Sequence, residues 1–584
     1  MFAFQIKRMM KDPVIWILLI LYGIYFSFVA KYTMVGNAED GFILSMSQVE
    51  VLFLLFLSIT FYQCSNDKRK GAMEVVESHP GGRVKYYLSR ILILSIVAFV
   101  ITAIFTAISI LSLQKAQVID LRPWLKIVFH NLWINQFLVY EFAILLGILV
   151  SQVKDAVTGI IIIVFVYFGF SHLFMGILSN LLLYHEKLLR LLSILGINAR
   201  LYNVSLDGYY MYSIGSYDYE RMLCCLFAAI SLLCARIVDS KRIKVALTSA
   251  SAILSVIFAC LYVRPYGFNY TDWFGSAQRI DQEYYQGPRS KELGADHRVE
   301  EAGFTIKKIS GTITIGRTLG ATIKIQLEEN TRKDYKFTLY HGYELSRVLS
   351  EGRPLPFERS GDHICIHSTK PLDELVFKYS GYSENYCTDE QTTFLPGYFA
   401  YIPFSGYRKI WYDDEDGERL PDGTIFMGKF INYDGMGYKV DYDLNLQCKN
   451  EIHTNLTRTE NGRYVGETEG VSIVSSEFLH ETKVEDVTII YSSQLMDNMS
   501  ENLVKDYALE CIHSFKYKEE LRGKTIIIPR FSGDNTYYVA SDHIMCPLED
   551  LDDLYGNYLE TGEYPYEKPE DLSSDSEEEM EDSQ

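Results

Sequence analysis

Seven long apolar runs, at about 12–31, 46–64, 90–113, 129–151, 156–179, 222–238 and 245–263, restrict what the first 264 residues can fold into. A hydrocarbon core about 30 Å thick takes roughly 20 apolar residues of helix, and each run approaches that length. The lipid interior offers the backbone no water, so segments of this kind span as helices. The sixth run is the weakest, being short and rich in Cys and Ala. Ahead of the first, Phe2 to Lys11 is basic and amphipathic and reads as a helix lying on a membrane surface. It does not read as part of a signal peptide. The run from Val14 to Ala30 is long, has no clear small-residue cleavage site and is followed by further spans.

Lys and Arg set the orientation. Lys7, Arg8 and Lys11 precede the first run, and Lys68 to Arg90 joins the second to the third. Lys154 sits between the fourth and fifth, and Arg236, Lys241, Arg242 and Lys244 between the sixth and seventh. The alternate loops are less basic for their length. The positive-inside rule therefore predicts a multi-pass protein of the cell membrane, with the N-terminus cytoplasmic and everything after Val263 outside. Within the external loop from Asn180 to Glu220, the stretch Leu181 to Leu195 reads as an interfacial helix.

The loop from Asn66 to Arg90 is basic at both ends, with a short helical middle from Gly71 to Ser78 that Pro80-Gly81-Gly82 stops. On its residues alone it also fits an ordinary solvated loop. Gly71, Glu74, Val75-Val76, Ser78, Pro80 and a basic start to the next span from Arg83 nevertheless follow a pattern. It resembles the first cytoplasmic loop of type 2 ABC transporter permeases. That resemblance implies a coupling helix, with Gly71, Glu74, Val75, Ser78, Pro80 and Arg83 docking on a separate cytoplasmic ABC ATPase subunit. It also implies a homo- or heterodimer of permease subunits in the bilayer. ATP would be bound by the partner subunit, and no cofactor is expected on this chain.

Few polar residues fall inside the runs. Glu141 lies near the middle of the fourth, with Asn131, Asn135 and Gln136 towards its outer end, and His172 lies in the fifth. An ionisable group at such depth is a functional candidate by default. For Glu141 the alternative is a protonated side chain bonded to a neighbouring helix. His172 reads as a packed, hydrogen-bonded residue.

After Pro265 the chain is polar, Tyr-rich and acidic, and this part carries most of the net charge of −19. Such a surface does not favour nucleic acid, whose phosphates need Lys and Arg. Residues 265–302 read as a stalk or linker, with some helix near Asp281 to Tyr285. Period-two alternation then begins with Phe304/Ile306, Ile313/Ile315, Ile323/Ile325/Leu327, Phe337/Leu339, Ile364/Ile366 and Leu375/Phe377/Tyr379. It predicts an extracytoplasmic, mainly-β domain over 303–495. A small α/β extension follows over 496–560, and then an acidic, Ser-rich disordered tail over 561–584. Tyr398, Phe399, Tyr401, Phe404, Tyr407 and Trp411 crowd one stretch, mostly as core, with a few available for an apolar binding face. The ten cysteines form no disulfide framework: five lie in or beside the apolar runs, and Cys365, Cys387, Cys448, Cys511 and Cys546 are odd in number and widely spaced.

The succession Phe337 to Tyr343, Leu355-Pro356-Phe357, His363 to His367, Leu375 to Gly381, Tyr398 to Phe404, Arg463 to Gly466 and Gly470 to Val474 resembles the N-terminal β-domain of aminopeptidase N-like gluzincins. Some bacterial type 2 permeases carry such a domain outside, followed by a zinc peptidase domain. The peptidase motif His-Glu-x-x-His is incomplete here. His185-Glu186 and His480-Glu481 are followed by Leu189 and Val484 where the second His belongs. Only His363, Cys365 and His367, alternating along one strand, suggest a metal at all. Gly523-Lys524-Thr525 lacks the upstream glycine of a phosphate-binding loop.

The chain is therefore expected to be a non-enzymatic permease subunit of an ABC transporter, an exporter with an outer binding domain. The alternatives are a membrane-anchored degenerate or split zinc aminopeptidase-like protein, or an antimicrobial-peptide sensor or immunity protein.

Overall fold

The computed structural model describes residues 2–34, 40–116, 118, 121–153, 155–182, 186–197, 215–264, 281, 284–285, 290–383, 386, 388, 391–412, 429–430, 435–493, 501–528 and 537–561. Lys154, His185, Cys387, most of the expected linker and the acidic tail from 562 lie outside the described residues. The chain divides into two units, one built from the apolar runs and one from nearly everything after 274.

The first unit is helical. α1 (Phe2–Met10) and α2 (Pro13–Thr33) are joined at Asp12, whose carboxylate accepts from Val14 N as an N-cap. α3 (Asp40–Ser47) and α4 (Val49–Arg69) form one span-length helix of 30 residues with a joint at Gln48. α5 (Ala72–Glu77) is the short loop helix, and α6 (Gly82–Lys115) follows. α7 (Leu121–His130) runs through a π-helical stretch, Asn131–Phe137, into α8 (Leu138–Val150). Next come α9 (Ala156–Phe170), α10 (His172–Leu181), α11 (Glu186–Leu192), α12 (Ser216–Ile237) and α13 (Lys241–Tyr262).

Among the described residues, five helices are long and apolar enough to cross a membrane, or six if α9 and α10, bent by 58° at Ser171, are taken as one. All seven apolar runs are helical, but the expected count of seven spans is not reached by this measure. The sixth run sits in α12, whose Asp218, Glu220, Arg221 and Arg236 make it too polar. α11 with the 3-10 turn Ser193–Leu195 occupies the stretch expected to be an interfacial helix.

The core of this unit is the α4–α8 contact, where Leu52, Phe53, Phe56 and Leu57 meet Val139, Tyr140, Ala143 and Ile144. Gly147 allows the close approach: a Cβ there would lie 2.6 Å from that of Thr60. α2 and α13 bury only 6% of their apolar windows, an exposure compatible with membrane embedding.

The second unit is sheet-rich. In chain order its first strands are β1 (Ile306–Ile315), β2 (Leu319–Leu327), β3 (Asp334–Thr338), β4 (Tyr343–Ser350), β5 (Arg353–Leu355), β6 (Phe357–Ser360), β7 (His363–His367) and β8 (Glu374–Gly381). β9 (Thr393–Leu395), β10 (Phe404–Ser405), β11 (Trp411–Tyr412), β12 (Lys429–Phe430), β13 (Val440–Gln447), β14 (Ile452–Thr454), β15 (Thr457–Arg458) and β16 (Tyr464–Thr468) continue it. The last are β17 (Ile473–Ser475), β18 (Leu479–Val484), β19 (Val487–Ser492), β20 (Thr525–Ile527), β21 (Tyr538–Val539) and β22 (His543–Met545).

The largest sheet has the order β15-β16-β13-β1-β2-β8-β4-β5, with β1 and β13 parallel and its other pairs antiparallel. A four-stranded sheet, β10-β3-β7-β6, contributes Phe337, Ile364 and Ile366 to the same buried cluster as Ile323, Ile325 and Phe377. Every residue of the alternating pairs named above is buried, which is why period two was a sound guide here. Two expectations change. Tyr398, Phe399, Tyr401, Phe404, Tyr407 and Trp411 are all at most 5% exposed, so none is available for an apolar binding face. Tyr284 and Tyr285 belong to the core cluster, so this part of the expected linker is packed into the unit. The five-stranded sheet β18-β19-β20-β22-β21 pairs β19 with β20 in parallel across residue 495, with α14 (Glu501–Ser514) between them.

Candidate functional site

The loop between α4 and α6 is built by backbone chemistry. Gly71 adopts φ +69°, which side chains disfavour, and so ends α4 and turns the chain into α5. Gly81, at φ +68°, makes the second turn. Gly82 must also be glycine for space, since a Cβ there would lie 2.0 Å from Val76 O. Only Met73 of α5 is buried. Glu74, Val75, Glu77, Ser78, His79 and Pro80 are exposed, Val75 to 67%. Ser78 Oγ donates to Val75 O, and Arg83 lies 3.6 Å from Glu77 and 3.4 Å from Gln152 Oε1.

A buried charged cluster centred on Asp67 ties together α4 and α6, the two helices that α5 joins. Its carboxylate takes a 2.9 Å ion pair from Arg90, a hydrogen bond from Tyr86 Oη at 2.5 Å, and an ion pair from Arg8 of α1. Arg90 also donates to Gln63 Oε1 at 2.6 Å, and Gln5 Nε2 reaches Tyr86 O. Asp67 and Arg90 side chains are 4% and 3% exposed, so each charge is tolerated only because the other is there. Lys68 Nζ donates to Ser151 O at 2.9 Å, tying in the end of α8. The ends of α1, α4, α6 and α8 thus converge, and α5 is the short exposed helix that links α4 to α6. Asp67 and Gln63 were not singled out from the sequence, and the signal for Asp67 was an acid directly before the basic run Lys68-Arg69-Lys70.

The polar groups expected inside the spans fall into separate places. Glu141 Oε2 accepts from Ser95 of α6 at 2.8 Å, while Oε1 is buried with no hydrogen-bond partner among the described residues. Asn135 is buried in the π-helical turn, where it donates to Asn131 Oδ1 at 2.9 Å. His172 pairs with Glu50, an acid inside the second apolar run that the sequence reading did not single out: Nδ1 lies 2.8 Å from Glu50 Oε1.

His363, Cys365 and His367 do lie on one side of β7, opposite Thr338, Lys336 and Asp334. One ion cannot take all three, because four residues of strand span about 13 Å and zinc bonds are only about 2 Å long. His363 is buried and stacked on Tyr407 at 4.4 Å, and His367 pairs with Asp334 at 2.7 Å. Burial pushes the Cys365 thiol up, away from the thiolate a metal requires. Among the described residues no three His, Cys, Asp or Glu side chains cluster as a metal site.

The second unit also places Ser472 Oγ 2.8 Å from His543 Nε2, whose Nδ1 lies 2.9 Å from Asp542 Oδ1. That is the order of a nucleophile, base and carboxylate relay. Ser472 and His543 are wholly buried, and Ser472 Oγ also accepts from Gly397 N, so no substrate carbonyl can approach. Burial works against the Asp542 charge, but His543 and hydrogen bonds from Asn455 and Thr468 outweigh it and hold this carboxyl below its ordinary range. The relay locks β22 to the loop before β17.

No family model matches this chain, and no curated protein matches it. Similar solved structures include native leukotriene A4 hydrolase from Saccharomyces cerevisiae, at 12% identity and a TM-score of 0.26, covering 44% of this chain and 44% of that one. An aminopeptidase N family protein from Idiomarina loihiensis is 10% identical with a TM-score of 0.26, over 42% and 43% of the two chains. An M1 zinc metallopeptidase from Deinococcus radiodurans is 11% identical with a TM-score of 0.27, over 43% and 62%. The chain thus spans about half the length of the first two and less than two thirds of the third. TM-scores this low carry no argument about activity.

Proposed function

We propose that this chain is the membrane-spanning permease subunit of an ABC transporter, moving cargo outward with ATP hydrolysed by a separate cytoplasmic subunit. α5 is the docking element. The observation that carries this reading is the exposed Glu74-Val75 face of a six-residue helix between two span-length helices that the buried Asp67–Arg90 pair ties together. A rigid charged base suits a helix that must pass a push from a soluble partner into the spans, because packed elements move as bodies rather than deform. The outer β unit supplies a binding domain for cargo or a partner, and two permease subunits complete the pathway.

Glu74→Arg tests the docking, with a candidate ATPase subunit co-expressed. A reversed charge at an interface costs several kcal/mol, so co-purification and stimulated ATP hydrolysis are expected to be lost while the chain still inserts. Unchanged co-purification would make α5 an ordinary solvated loop and remove the reading.

A further inference from the structure

The break between α9 and α10 leaves backbone groups that a membrane interior does not forgive. At Ser171 the chain turns by 58°, and several of the freed groups meet specific partners. Ser171 Oγ accepts from Phe174 N. Phe170 O accepts from Ile197 N at 3.1 Å. His172 N donates to Glu50 Oε1 at 2.9 Å, and the ring of the same residue reaches that oxygen at 2.8 Å. Glu50 comes from α4, and its side chain is 8% exposed. One turn along α4, Phe53 packs against Phe170 and Phe142 at 6.2 and 6.3 Å, with Phe142 and Phe170 5.2 Å apart edge to face. This aromatic layer packs α9 against α4 and α8 beside the break. Next to it, the Glu50 carboxylate from α4 holds the first residue of α10 by two bonds.

We propose that Glu50 and His172 form the latch of an outer gate in the membrane unit, keeping α10 folded across the end of α9. An acid is costly at this depth, and a packed apolar contact would hold two helices together without it. What the pair adds is a contact with two discrete states. Bonded, it fixes the bend; parted, α10 swings away from α4. As a gate for cargo the inference rests on the transporter reading, but as a latch it does not.

The test uses the full chain in nanodiscs. Met175 lies on α10 at 5% exposure, so in a Met175→Cys background an impermeant maleimide should react slowly at that position, scored by peptide mass spectrometry. Adding Glu50→Ala is expected to raise that rate about tenfold or more, the scale of one lost hydrogen bond to a charged group. His172→Gln keeps the backbone bond and should give a smaller rise. Exchanging the pair, Glu50→His with His172→Glu, should return the rate most of the way to the parent value, which a merely structural loss would not do. Buried Cys64 reports general unfolding. If Glu50→Ala exposes Cys64 as well, His172→Gln decides: faster labelling with Cys64 silent supports the latch, and the parent rate overturns it. Parent-rate labelling in Glu50→Ala, or an exchanged pair that labels as fast as Glu50→Ala, also overturns it. The assay contains neither ATPase nor cargo, so its failure leaves docking through α5 standing, and failed docking leaves the latch standing.

Discussion

Removing the Asp67 charge is the sharpest perturbation of the buried cluster that ties α4 to α6. Asp67→Asn removes the counter-charge of Arg90, 3% exposed, leaving it only neutral partners such as Gln63, and deprives Arg8 of its ion pair. Breaking a buried pair by removing one partner costs about 3–5 kcal/mol, because the surviving charge is left uncompensated. Arg8 adds little to this, since its side chain is 31% exposed and water screens it. If the cost falls on local opening of the loop, 3 kcal/mol raises the open population about 150-fold, at about 1.36 kcal/mol per factor of ten. Limited trypsin digestion of the nanodisc-embedded chain reads this directly, because Arg69, Lys70, Arg83 and Lys85 flank α5. Arg90→Leu alone should open the loop comparably, whereas Asp67→Asn with Arg90→Leu should recover most of the protection. A cycle in which the two changes simply add, to within about 0.5 kcal/mol, would refute the cluster as the support of α5.

Three other outcomes are expected. The folded-state pKa of Asp542 is depressed, so its contribution to stability is present above the ordinary carboxylate value of about 3.9 and is lost as pH falls through the lower folded value. Acid unfolding of the chain followed by near-UV circular dichroism should therefore be less steep below pH ~4 in Asp542→Asn, and an unchanged acid limb would contradict this. Glu141→Gln should change transport more than abundance if the side chain lines a cargo path, and equal loss of both would favour packing against Ser95. Cysteine substituted at Ser78 should be shielded from an impermeant label in intact cells and cysteine substituted at Asp334 open to it, and equal labelling would contradict the charge-based orientation.

Where a side chain's neighbours are also its neighbours in sequence, the residues could be read in advance. Ile323, Ile325 and Leu327 announce a strand because alternate positions must share a face, and all three are buried. Gly71 and Pro80-Gly81-Gly82 announce the ends of α5 because they act on their own backbone. The buried charges behave differently. Asp67 is meaningful only beside Arg8 and Arg90, and Glu50 only beside His172, 122 residues away. Read singly, Glu50 is the polar edge of an apolar run, Asp67 is one acid in a basic loop, and His172 is a packed histidine. The alternating set on β7 failed in the opposite way. Its common face was correctly inferred, but the pitch of a strand spreads His363 and His367 too far apart for one ion.

Buried charges in the helical unit sit at interruptions of its helices. An apolar bundle gains nothing in packing from ionisable groups, and replacing such pairs with hydrophobic residues is often neutral or stabilising. Yet two sets sit where separate helices meet and where the backbone has been interrupted. The Asp67 cluster lies at the breaks that flank α5, and the Glu50–His172 pair lies at the break between α9 and α10. Both join α4 to a helix on the far side of an interruption: α6 at one end, α10 at the other. α4 is also the helix that packs most closely on α8, through the Thr60–Gly147 contact. A displacement delivered at α5 would therefore reach α4 through Asp67 and leave it through Glu50, with a stiff, close-packed helix between. If that coupling holds, Asp67→Asn should speed maleimide labelling at Met175→Cys even though the two sites lie at opposite ends of α4. An unchanged rate, in protein whose trypsin sites have become exposed, would separate the two clusters and leave each as a local device.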